Sequence, residues 1–98
     1  MRMMKRQGDL LIISVGAIPE DARRLEHRVL AEGEATGHKH ELESGILYEK
    51  NGALYFQVEE PKTVLKHEEH GPLEFESGIY QVIRQREYDP RRFRNVSD

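Results

Sequence analysis

The chain has 98 residues, of which 37% are hydrophobic and 34% charged, with a formal net charge of -3. This length supports one domain with a modest core. The acidic balance gives no global attraction to nucleic acid or to an anionic membrane. Cysteine is absent, which excludes disulfides, thiolate metal sites and a cysteine nucleophile.

In chain order, residues 1–8 are basic and expected to be mobile, ahead of a single β domain over 9–90 and a polar, arginine-rich tail over 91–98. The run DLLIISV (9–15) is apolar and rich in β-branched residues, which predicts a buried strand. It is too short to span a bilayer. Asp9 before it and Pro19-Glu20-Asp21 after it do not fit a secretion signal, so a cytoplasmic location with no membrane contact is expected. Pro19, Glu20 and Asp21 predict the start of one short helix, because proline fits the first turn and acids suit its positive end. A strand broken by Gly33 follows over 28–35, and then HKHELE (38–43), where His38, His40 and Leu42 share a face.

Asn51-Gly52 between two alternating runs is a strong hairpin signal. Beyond it Leu54, Phe56 and Val58 alternate with Tyr55, Gln57 and Glu59. Pro61 is expected to end that strand, with a separate one over 63–69 and a turn at Gly71-Pro72. Leu73 and Phe75 alternate against Glu74 and Glu76, Gly78 interrupts, and a long strand starts at Ile79. The expected fold is all-β and mainly antiparallel, a small barrel or sandwich with one short helix.

Four of the five histidines fall in GHKH (37–40) and HEEH (67–70). Residues two apart on a strand project the same way, so His38 and His40 can present two imidazoles to one divalent ion. The three-residue spacing of His67 and His70 splits them across an extended strand unless the chain turns; one of the two is expected to reach the site, and His67 shares a face with Leu65. Three histidines and a carboxylate would make an open metal site for zinc, nickel, manganese or iron. Glu34, Glu41, Glu43 and Glu68 are the candidates for the carboxylate. The same histidines also suit general acid and base work without metal, and the bland alternative is that they are solvated polar residues near turns. His27 is expected on the surface.

The stretch GEATGHKHELESG (33–45) resembles the first motif of the cupin superfamily, with Gly33, His38, His40 and Gly45 laid on its glycines and histidines and Glu43 as the carboxylate. LEFESGIYQV (73–82) is similar to the cupin segment in which a glycine leads into a strand. The resemblance implies a small barrel with a metal site at His38, His40 and Glu43. Gly-Glu-x-Thr-Gly-His-x-His, His-Glu-Glu-His-Gly-Pro and Gln-Arg-Glu-Tyr also resemble segments of small uncharacterised bacterial and phage proteins.

RQREYDPRRFR (84–94) carries five arginines. Arg84 and Arg86 share a strand face with Tyr80 and Tyr88, an arrangement suited to positioning a small anionic ligand or to contacting nucleic acid. Charge pairing across strands and a homo-oligomer contact are the competing readings. No phosphate-binding glycine loop and no serine elbow is present. The leading expectation is a histidine site for a divalent metal or a small anion, with hydrolytic chemistry open. A non-enzymatic interaction module and a nuclease-like protein are the alternatives.

Overall fold

The computed structural model describes residues 3–32 and 37–84. These residues form β1 (Met4–Gln7), β2 (Leu10–Ser14), β3 (Arg23–Arg24), β4 (Val29–Glu32), β5 (Lys39–Leu42), β6 (Ile46–Lys50), β7 (Ala53–Lys66) and β8 (Leu73–Arg84). Every pairing is antiparallel. The main path runs β1-β2-β8-β7-β5-β4, and β6 joins β7 with β3 on its outer side. The path ends, β1 and β4, share no ladder, so the sheet is not closed into a barrel. Among the described residues no helix is long and apolar enough to cross a membrane.

Two tight hairpins set the register. Lys50 pairs with Ala53 around Asn51 and Gly52, both at positive φ (50° and 84°), as the Asn-Gly signal requires. Gln7 pairs with Leu10 around Gly8-Asp9, with Gly8 at φ 60° in the first loop position. Residues 4–7 are therefore an edge strand rather than a mobile segment, because this turn lets them pair with the apolar run of β2.

The expected helix after Pro19 does not form. The Ala22 N–H donates to Pro19 O, closing one turn, and Arg23 and Arg24 then pair with Glu49 and Tyr48. So short a segment cannot sustain a helix by itself. It offers the core one apolar side chain, Leu25, whose N–H is taken by Leu47 O. The edge of β6 supplies better partners than a frayed helix would.

The expected breaks at Pro61 and Gly78 are not strand ends. β7 and β8 run through them, with a register shift between the Val58–Gly78 and Lys62–Glu76 pairs. Pro61 sits inside this irregularity, where its missing N–H costs no ladder bond. The ribbon folds back here. Phe75 pairs with Thr63, which on a straight strand would lie roughly 23 Å from Phe56. Yet the Phe56 and Phe75 rings are 5.5 Å apart. Phe75 and Tyr80 would face opposite sides of a straight strand, but their rings are 5.1 Å apart.

The bend brings two halves of one sheet face to face. Leu10, Ile12, Phe56, Val58, Tyr80 and Val82 from one half meet Leu30, Leu42, Leu65 and Phe75 from the other in a single core. Full burial of a side chain such as Phe56 or Phe75 contributes about 1.5–3 kcal/mol.

Gly78 makes the bend at φ 153°, a conformation that side chains rarely adopt. Gly78→Ala is expected to lower the unfolding free energy by roughly 1–3 kcal/mol in a denaturant titration. An unchanged midpoint would show that β8 bends without this backbone conformation.

Candidate functional site

The topology gathers four chain segments at one end of the folded sheet. The β2–β8 register sets Arg84 opposite Leu10, beside the Gly8-Asp9 turn. On the other half, Glu41 pairs with Lys66 and Leu42 with Leu65, so continuing by one position sets His40 across from His67. β7 ends at Lys66, and the turn that follows carries His67 and His70 over the same place. The His67 ring lies 4.3 Å from His40, 4.5 Å from His70 and 5.7 Å from His38 between centroids. The His40 and His70 rings stack at 6.1 Å. All four histidines line one cavity of about 550 Å³, together with Asp9, Glu32, Glu69 and Arg84.

His40 is the buried member, at 5% exposure. Its Nδ1 is 2.8 Å from Gln7 Oε1. The Gln7 amide nitrogen donates to Leu65 O at 2.9 Å and Gly71 O at 2.8 Å. Both donors are thus spent on carbonyls, which fixes the amide's orientation and leaves Oε1 as an acceptor. Nδ1 of His40 must carry the proton, and Nε2 keeps its lone pair. That nitrogen is 3.8 Å from Asp9 Oδ1. Burial, followed by the neighbouring His67, pushes the His40 pKa down to about 4, with Asp9 opposing. The ring is neutral at pH 7.

His67 is held differently. Its Nδ1 accepts the backbone N–H groups of Glu69 (3.0 Å) and His70 (3.2 Å), so the neutral ring bears its proton on Nε2. These two bonds form the turn that returns His70 to the cavity. Gly8 gives His70 its room, because a Cβ there would lie 2.8 Å from His70 Nε2. The Nδ1 of His38 is 3.2 Å from Glu69 Oε1. Glu68 accepts the Lys39 N–H at 3.0 Å, and backbone donors from Glu68 itself and Lys39 hold its carboxyl below the usual range. One ligand atom from each of His38, His67 and Glu68 lies within 4.8 Å of the others, a group that could hold a metal ion.

The sequence-based expectations fare unevenly. His38 and His40 do face one cavity, and both His67 and His70 join them rather than one alone. Glu43 does not line the cavity. It is exposed beyond β5, because strand alternation that turns His40 and Leu42 inward turns Glu41 and Glu43 outward. Tyr80 is not beside the histidines either: it packs on Phe56 and Phe75, with its hydroxyl donating to Glu76 O at 2.7 Å. It shares a face with Arg84 but lies deep in the core, whereas Arg84 lines the cavity. His27 is exposed and remote from the cluster, its Nδ1 accepting the Val29 N–H. Glu34, Arg86 and the tail over 91–98 lie outside the described residues. Gln7 and Asp9 were missed. The Gly8-Asp9 pair is itself a hairpin signal and could have placed Asp9 at a strand end.

The fold and site together define a small, antiparallel β protein with a histidine-lined cavity. A family model described as a domain of unknown function (DUF8820) matches residues 6–85, and the chain belongs to that family. No curated protein and no solved structure matches it. The cupin resemblance gains no support from the family match, from the open sheet or from the outward Glu43.

The neutral, buried His40 makes stability depend on pH. Its folded pKa of about 4 lies below the ordinary 6.5, so protons favour the unfolded chain between those values. The metal-free protein should keep this contribution whole above pH 6.5 and lose it progressively toward pH 4, by on the order of 3 kcal/mol. Urea titrations across that range should give a steeper decline for wild type than for His40→Gln. Parallel declines would contradict the assignment.

Proposed function

We propose that the protein binds a divalent transition metal in the histidine cavity. The observation that carries this reading is the state of His40: Nδ1–H is tied to an amide oxygen, while Nε2 keeps its lone pair 3.8 Å from Asp9 Oδ1 in a cavity that the other three imidazoles also line. Metal-ligating histidines commonly have their second nitrogen anchored in this way, which fixes both tautomer and ring direction. Neutral imidazole favours zinc, nickel, copper or iron.

The histidines differ in how readily they would serve. His40 needs no rearrangement of its tautomer. His38 sits beside Glu69, and His70 stacks on His40 across the Gly8 backbone. His67 would have to give up two backbone hydrogen bonds at Nδ1 to change tautomer, at a net cost of about 1 kcal/mol each. Asp9, Glu68 and Glu69 supply carboxylates close to the imidazoles.

Untagged protein should bind zinc or nickel, read by elemental analysis after gel filtration and by titration. At a free metal concentration of about 100 times Kd, stability should rise by about 2.7 kcal/mol. His38→Ala with His40→Ala should weaken binding at least about tenfold, matching loss of a direct ligand. A melting temperature indifferent to zinc, nickel and manganese would contradict the proposal.

A further inference from the structure

From the same cavity we infer a second recognition element: Arg84 binds an oxyanion, carboxylate or phosphate, that enters beside the histidines. Arg84 lines the cavity, yet its Nε is buried and has no hydrogen-bond partner among the described residues. No ion pair to Arg84 is present among them either. An unsatisfied buried donor is costly, and more so on a charged group. An incoming oxyanion removes that cost, because guanidinium offers Nε and Nη as a planar fork matched to two oxygens.

The position is fixed by the fold. Arg84 ends β8 opposite Leu10, so its backbone is held by the ladder next to the Gly8-Asp9 turn. The facing groups are Asp9 and the four imidazoles, with Glu32 and Glu69 also on the cavity wall. Three carboxylates would repel a free anion. A divalent ion among the imidazoles would offset two of those charges and Arg84 itself the third, which removes the net repulsion. One oxygen of the anion would then meet the metal and another the Arg84 fork. This metal contact rests on the proposed function above, whereas the Arg84 contact rests on its own buried Nε. The volume of about 550 Å³ leaves space for a small molecule rather than a polymer segment.

The test is calorimetric titration of inorganic phosphate and, separately, oxalate into zinc-loaded and zinc-free full chain. The proteins are wild type, Arg84→Gln and Arg84→Lys, with Lys keeping the charge but not the fork. Zinc-loaded wild type should bind at least one of the anions, and both variants should bind it at least about tenfold more weakly. Their zinc affinity should not fall, which shows that the variants are folded and the metal ligands intact. Preference for phosphate or oxalate then tells the source of the oxyanion. Wild type that takes up no zinc overturns the metal reading alone; phosphate or oxalate binding to that zinc-free chain, lost in both variants, would still support the Arg84 site. Equal anion binding in all three proteins, or no anion bound by either form of wild type, overturns it.

Discussion

The amide of Gln7 joins parts of the molecule that no ladder connects. It belongs to β1, one end of the sheet path, yet it donates to carbonyls of Leu65 on β7 and Gly71 beyond it, and accepts from His40 on β5. The group is buried at 3% exposure, so each of these bonds replaces water that cannot enter. The sheet is open by hydrogen-bond ladder but latched by this side chain. The latch also imposes one tautomer on His40, so structural closure and the chemistry of the cavity depend on the same three hydrogen bonds.

Everything else at the site follows from the fold-back at Val58–Lys62 and Gly78. Without it the Gly8-Asp9 hairpin and the end of β7 would sit on separate halves of an extended sheet. With it, the imidazoles of His38 and of His40 on β5, those of His67 and His70 after β7, and an arginine from the end of β8 share one wall. Burial, then the neighbouring His67 and to a smaller extent His70, disfavour protonation of His40.

Much of the architecture was legible in the sequence, because alternation and turn chemistry are local. Asn51-Gly52, the inward set Leu54, Phe56 and Val58, and the parallel projection of His38 and His40 all follow from periodicity. Pro61 and Gly78 misled because punctuation residues mark bends as well as ends, and only the partner strand tells which. The two Arg23–Arg24 pairs were hidden by a helix-start signal that lacked an apolar face to sustain it. The site was half legible. His67 and His70 were ambiguous until β7 was seen to stop at Lys66. Gln7 was invisible, since its role depends on a partner 33 residues away across a bend. Glu43 was chosen by motif likeness although its own alternation pointed it outward.

Gln7 holds His40 as the Nδ1–H tautomer and leaves the Nε2 lone pair open. Imidazole nitrogen-15 NMR of the metal-free protein at pH 7 tests it most directly. His40 should show a protonated-type Nδ1 and a lone-pair-type Nε2, with the Nε2 resonance moving on addition of zinc. A protonated Nε2, or an averaged tautomer pair that zinc leaves unmoved, would contradict it.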